Sequence, residues 1–473
     1  MTSKKLTFAF VAMTLVVGCN FVRDAREAQL AADRKANGET AQPNRVTLAG
    51  YTLQQLVGYA LTNAPSMSAA RLAVEDSRLA LKSIAADAPL VSKTPWTAIS
   101  ASANLGHSEK SVASKLDDFK WDTDGKASGG ISLDLLIWDF GRNNALAKAQ
   151  VENVIAAELA LVRQGYDVFE NVASSYFTLL EKDALLEVAF TNRSECIIQL
   201  DRAETMLNAG EAQELDVLRA KLNLAQAEER IVSASNAVVT AGAELVNCLG
   251  IESTRSSRDE IMPLQKALSV VRRGFGETDD TLSELYALAE TNSPALLIAK
   301  AKVRAAKYDV DYAIADLMPR ISTSVGLDWT NPMWLWHWSV SASQSLFQGF
   351  RKKTAVERAT VRLKTASSDL DDAVQALQLS LELAIAERDN AAKARETAES
   401  SLFEARKNFE IVKKQYEVGD VSRVEFSDSL SLLTLALGNR VSAFYAAQRA
   451  EAKLFALVGR LPVYDERILE EDK

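Results

Sequence analysis

Two long stretches of the chain carry apolar residues at helical spacing and contain almost no helix breakers. Residues 350–418 contain neither proline nor glycine, and residues 142–209 contain one glycine and no proline. In the later stretch the apolar positions recur every three or four residues, at Leu370, Val374, Leu377, Leu381 and Ile385. This spacing predicts amphipathic helices, which at about 1.5 Å per residue would each be about 100 Å long. A coiled coil would show the same pattern, so the intervening segments decide the architecture.

Between the predicted helices the apolar period changes to two. Apolar residues alternate with small polar ones after Pro319, and alternation resumes after Asn331-Pro332. The pattern predicts two strands joined by a tight turn. Four tryptophans on these strands are expected at a membrane interface: Trp329, Trp334, Trp336 and Trp338. An apolar face opposite a small polar face suits a lipid-facing barrel around water, whereas a soluble hairpin would leave the tryptophans in water.

The helix and strand pattern occurs twice. Thr52 to Pro65 returns as Thr281 to Pro294, 229 positions later, and Gly210 and Gly250 have counterparts 209 positions later. The expected repeats are 51–262 and 281–460, joined by a linker at 263–280 and followed by a tail at 461–473. Each should hold a helix, a β-hairpin (about 96–138 and 320–347), a long helix (141–209 and 350–418) and a return helix. Four strands cannot close a barrel, so membrane-spanning strands would require an oligomer.

The N-terminus predicts export. Lys4 and Lys5 precede an apolar run that ends in Val16-Val17-Gly18-Cys19, so residues 1–18 are expected to be a signal peptide. The sequence before Cys19 resembles the bacterial lipoprotein box, which implies acylation of Cys19, a lipidated extended segment over 19–50 and, with Asn20 following, the outer membrane. The alternative is an ordinary signal cleaved nearby, with Cys19 incidental.

Composition excludes several function classes. Loss of the two signal lysines would take the net charge from −9 to −11, which argues against nucleic-acid binding. The chain has two histidines and no nucleotide-binding, hydrolase or metal motif, so no catalysis, cofactor or metal site is expected. After the signal, no apolar run of about 18 residues is apparent, so any membrane crossing should use strands.

The duplicated order resembles the TolC-like outer-membrane efflux family, and the lipoprotein box resembles its lipoprotein branch. The resemblance covers about 50–460 and rests on the order of TLxxL segments at 52 and 281, hairpins, WDFGR at 138–142, FQGFR at 347–351 and long helices. It implies an α+β membrane protein: a homotrimeric 12-strand outer-membrane β-barrel, four strands per protomer, continuing into a periplasmic α-helical barrel. Such a protein is an exit duct for drugs or other small molecules, and it docks with a periplasmic adaptor and an inner-membrane pump of the resistance–nodulation–division type.

The resemblance also implies a periplasmic gate where the long helices turn back, at Gly210 and Gly419. Glu425 and Asp428 match two acidic positions of the family's second tip, and three copies would form a cation-attracting ring. Asp216 is the weaker counterpart in the first tip, and Arg423 is a possible gate constraint, although it lies farther from Gly419 than the family pattern has it. The alternative is that these acids only stabilise helix starts.

Other functions stay open on the sequence alone, both within this family and outside it. Within the family, the duct could serve type I polypeptide secretion or metal efflux. Outside it, the chain could be a lipid-anchored periplasmic coiled-coil protein, either structural or an adaptor, although the duplicated helix–hairpin–helix order does not favour that class.

Overall fold

The twelve helices and strands described by the computed structural model fall into two sets of six with the same order. The structure describes residues 52–86, 98–110, 122–210, 213–251, 282–330, 333–418 and 420–459. The first set is α1 (Leu53–Asn63), α2 (Pro65–Ala86), β1 (Ala98–Lys110), β2 (Asp122–Trp138), α3 (Arg142–Asn208) and α4 (Glu214–Cys248). The second is α5 (Leu282–Asn292), α6 (Pro294–Ala315), β3 (Arg320–Thr330), β4 (Met333–Ser343), α7 (Arg351–Val418) and α8 (Arg423–Val458).

Several predicted features lie outside the described residues. They are the signal peptide and Cys19, the segment 19–50, the linker 263–280, Gly419 and the tail 461–473.

Proline separates the two short helices at the start of each set. Pro65 opens α2 and Pro294 opens α6, where a missing N–H and a fixed φ suit the first helical turn. The residue before each proline is extended, so α1 and α5 end there. Thr52 caps α1: its hydroxyl accepts from the N–H of Gln55, and the Gln55 side chain accepts from the N–H of Thr52.

The long helices begin one residue after the predicted starts because the preceding backbone is left-handed. Gly141 has φ 83° and Phe350 has φ 62°, so α3 starts at Arg142 and α7 at Arg351. The helices have 67 and 68 residues, which corresponds to about 100 Å each. Helix α3 packs along α4 and α6, while α7 packs along α8 and α6. Large side chains of α3 fill the core between them, notably Phe169, Val172 and Tyr176.

A buried ionic network joins α3 to α8. The Glu181 carboxylate accepts hydrogen bonds from Arg449 Nη1 at 2.7 Å and Ser442 Oγ at 3.0 Å. Glu181 is buried, and this pairing offsets the desolvation of its charge. The network therefore fixes one repeat against the other.

The four strands form one antiparallel sheet in the order β1-β2-β3-β4. β1 and β2 have 13 and 17 residues, against 11 each for β3 and β4, so the first hairpin extends farther. The pairing of β2 with β3 joins the two repeats, with one register shift between Leu136 and Trp138.

A left-handed glycine ends the return helix of each repeat. Gly250 (φ 73°) follows α4, and Gly459 (φ 75°) follows α8, 209 positions later. A Cβ on Gly250 would meet Ala64 Cα and Pro65 Cδ at 2.9 Å, and one on Gly459 would meet Asn292 at 3.3 Å. Each return helix therefore packs closely against the break between the two short helices of its own repeat.

Helix α4 departs from the expectation that no long apolar stretch follows the signal. It is long and apolar enough, by length and composition alone, to cross a membrane. Its apolar residues include Val238, Leu245 and Val246, which are buried in the protein core. Only 28% of its most apolar 18-residue window is buried within the chain, so packing inside one chain does not account for this composition.

Candidate functional site

The first helix tip is the turn between α3 and α4. Gly210, with φ 78°, follows the end of α3, and its N–H donates to Leu207 O at 3.0 Å. Before α4, the Gln213 N–H donates to Asp216 Oδ2 at 3.2 Å, so this carboxylate caps the helix start. The predicted tip glycine and tip acid therefore lie at the same turn.

The second tip joins α7 to α8. Ser422 caps α8, since its hydroxyl accepts from the Glu425 N–H at 3.4 Å. Glu425 and Asp428 are exposed on the first turns of α8, and neither carboxylate has an ion-pair partner among the described side chains. Their exposure permits both proposed roles, a cation-attracting ring and stabilisation of the helix start.

An ion pair connects the two tips. Arg423 Nη1 lies 3.3 Å from Asp216 Oδ1, and the two side chains are 17% and 30% exposed. Arg423 Nε and Nη1 are buried and form no hydrogen bond within the described part of the chain. The pair is therefore an ionic contact with incomplete hydrogen bonding, which is weaker than a bidentate bridge. Asp216 and Arg423, predicted separately, are brought together.

A second contact between the tips was not predicted from the sequence. Arg202 of α3 donates from Nη2 to Tyr416 O at 3.1 Å and to Glu417 O at 3.3 Å, capping the carbonyl end of α7. Its guanidinium carbon lies 4.6 Å from the centroid of the Tyr416 ring, which stacks on Phe426 with 4.7 Å between centroids. No local motif signals this contact, because Arg202 and Tyr416 lie 214 positions apart.

An apolar cluster supports these polar contacts from within. Its buried members are Cys196, Ala227, Phe409, Val412, Phe426 and Leu430. Burial raises the pKa of the Cys196 thiol above its ordinary value, consistent with a packing role. The cluster combines residues of α3, α4, α7 and α8, so the helices of the two tips share one packed apolar core.

The sheet presents two chemically different faces. Trp334, Trp336 and Trp338 share one face and are 51%, 78% and 64% exposed. Trp329 pairs with Trp334 in the strand register. On the other face, serines hydrogen-bond across β3 and β4, for example Ser324 with Ser339 at 2.7 Å. A solvent-exposed protein would place such an apolar face in water, whereas a bilayer would cover it.

The polar face also carries an acid–histidine pair. His337 Nδ1 lies 3.0 Å from Asp328 Oδ2. A Cβ on Gly326 would meet the His337 ring at 2.2 Å, and one on Gly130 would meet Asp328 at 2.2 Å. The two glycines leave the space that the pair occupies against the sheet.

The fold and faces of this chain define a duplicated helical protein with a membrane-type sheet. The outer membrane efflux protein family matches residues 56–251 and 285–460, and the chain belongs to that family. It is therefore an outer-membrane efflux channel protein, a transport duct and not an enzyme. This confirms the predicted TolC-like family. The search of curated proteins finds no match to the sequence.

Solved structures share the fold at low sequence identity. The chain is similar to a membrane protein from Pseudomonas aeruginosa, with a TM-score of 0.74, 19% identity and coverage of 89% of this chain and 99% of that one. The chain is also similar to the CmeC outer membrane channel of Campylobacter jejuni, with a TM-score of 0.75, 15% identity and coverage of 89% of each chain. For the outer membrane protein VceC of Vibrio cholerae the TM-score is 0.71 and the identity 15%, with coverage of 86% of this chain and 96% of that one. These similarities concern the fold.

Proposed function

We propose that this protein is the homotrimeric outer-membrane exit duct of a tripartite efflux system for drugs or other small molecules. A periplasmic adaptor and an inner-membrane pump would supply the substrate. The observation that carries the proposal is an open four-stranded sheet with one uncovered apolar face.

The sheet edges support three copies. Within the described chain β1 and β4 each pair on one side only. Unpaired strand edges are not tolerated in lipid, so β4 of one subunit would pair with β1 of the next. Three copies would give about 12 strands, more than the roughly eight at which barrels begin to close.

Exposed apolar stripes on the helices support the same assembly. On α4, Leu215, Leu218 and Leu222 are exposed at spacings that place them on one helical face. On α7, Leu379 and Leu383 are also exposed. Contacts between subunits would bury these stripes and extend the barrel as helices below the membrane.

The two tips support a periplasmic gate. The Asp216–Arg423 pair and the Arg202–Tyr416 contact hold α3 and α4 against α7 and α8. In a trimer the exposed Glu425 and Asp428 would contribute six carboxylates to a cation-attracting ring. Separation of the tips would then open the duct.

The assembly can be tested by native mass spectrometry of the purified protein in detergent. A trimer is expected, and replacement of Val340 by Lys on the apolar face should impair membrane insertion more than replacement of Ser341 by Lys on the polar face. A monomer that extracts without detergent, with equal behaviour of both variants, would refute a membrane-spanning trimer.

The transport role requires a separate test. Deletion of the gene in its native host should increase drug and dye accumulation, and the wild-type chain should restore export. Normal drug export with a loss of polypeptide secretion or of metal resistance would move the assignment to those substrates.

The lipid anchor is part of the proposal and rests on the sequence around Cys19. Cys19→Ser should abolish incorporation of a labelled fatty acid but leave barrel insertion largely intact, because the strands supply most of the membrane contact. Labelling that persists in the variant would contradict acylation at Cys19.

A further inference from the structure

The boundary between the sheet and the long helices contains an open cavity of about 610 Å³. Four cationic side chains line it, from α3, β3 and α7: Arg142, Arg320, Arg351 and Lys352. Among the lining residues that the structure describes, Asp316 is the one carboxylate, so they give this basic cavity a formal charge of +3. It lies at the opposite end of the long helices from the tips.

Asp316 is already engaged by two of the cations. Its Oδ1 lies 3.2 Å from Arg142 Nη1, and its Oδ2 lies 3.6 Å from Lys352 Nζ. Arg142 also donates from Nη2 to Tyr312 Oη at 2.8 Å. These contacts hold Arg142 and Lys352 in place within the cavity lining, and the two cations offset the charge of Asp316.

The other two cations have no carboxylate partner in the described part of the chain. Arg351 donates from Nη2 to the neutral Gln348 Oε1 at 2.7 Å, which leaves its charge uncompensated. Arg320 pairs with Ser343 in the register and lies on the sheet face that carries the serine contacts. Two lining atoms, Arg142 Nε and Ser345 Oγ, are buried without a hydrogen-bond partner.

We propose that the basic cavity binds the phosphate or carboxylate group of an anionic solute. Guanidinium groups match such anions in shape and charge. The position of Arg320 on the polar face favours a solute over a lipid, because lipid would contact the opposite, tryptophan-bearing face. The choice between solute and lipid, and the arrangement of three copies, rest on the proposed function, whereas anion binding by the single chain does not. Three copies would form an anion-attracting zone above the acidic tips, so one duct would carry zones of both signs.

Isothermal titration calorimetry of the full chain in neutral detergent, with inorganic pyrophosphate as probe, tests the site. The wild type should bind one anion per chain, and Arg320→Gln with Arg351→Gln should weaken binding at least about tenfold. The matched control is Lys353→Gln, since Lys353 lies beside the cavity on α7 without lining it and pairs with Glu357. Its affinity should equal that of the wild type.

Equal affinity in the double variant, or no binding by the wild type, would overturn the proposal. Phosphatidylglycerol retained by the wild type in native mass spectrometry but lost from the double variant, without pyrophosphate binding, would overturn the assignment to a solute and give the site to the membrane. Because pyrophosphate binding does not require transport, failure here is distinguishable from failure of the duct assignment.

Discussion

Removal of the Asp216–Arg423 pair should favour the open duct. At 3.3 Å and an effective dielectric constant of about 20, the attraction has an upper bound of about 5 kcal/mol. Partial exposure, and the missing hydrogen bonds of Arg423, reduce the net contribution to about 1–2 kcal/mol per subunit. Loss of the pair should therefore shift each subunit's opening equilibrium roughly 5- to 30-fold.

Planar-bilayer recording of Asp216→Asn and Arg423→Gln measures this shift directly. Each variant should raise the mean conductance, and the double variant should show less than the sum of the two free-energy changes, because the second substitution has no pair left to break. Arg219→Gln provides the control, since Arg219 is exposed on the same helix start. Conductance unchanged in both single variants would refute a gating role for the pair.

Three further predictions concern charge and orientation. Glu425→Gln with Asp428→Asn should lower cation selectivity and weaken block by trivalent cations in bilayers; unchanged values would place the constriction elsewhere. With cysteine introduced singly, a polar maleimide should label position 337 more strongly than position 336; the reverse would invert the sheet, putting the Trp336 face toward water and the His337 face toward lipid. Burial raises the pKa of the Glu170 carboxyl above 4.5, so the folded state binds the proton more tightly and loses stability as pH rises. Glu170→Gln should therefore raise the melting temperature at pH 7 but not below pH 4.5; an equal rise at both would contradict this.

The regular elements were predictable because their signals are local. Alternation around Trp334 and Trp336 follows from the two-residue period of a strand, and the absence of proline and glycine after Phe350 predicts a long helix. The sequence predicts the starts of the two long helices one residue too early, because the left-handed φ at Gly141 and Phe350 depends on how strand and helix meet.

Contacts between the tips could not be predicted in the same way. Arg202 and Tyr416 belong to different repeats, and only the packed fold brings them together. Asp216 and Arg423 each stood out individually through resemblance to the family, but their pairing is a property of the tertiary structure. The basic cavity was missed for the same reason, since Arg142, Arg320 and Arg351 come from three separate elements.

The two left-handed glycines that end the return helices bear on how the halves diverged after duplication. At Gly250 a methyl group would collide with backbone and a proline ring, and the positive φ disfavours any other residue. Gly210 has a similar φ but open space around it, so drift there is limited by conformation alone. The tips differ in sequence, with Gln213 at the N-cap position of one return helix and Ser422 at that of the other. Side-chain size is therefore restricted at Gly250 and Gly459 by close packing in both repeats, whereas at the Gly210 turn only the backbone conformation restricts it.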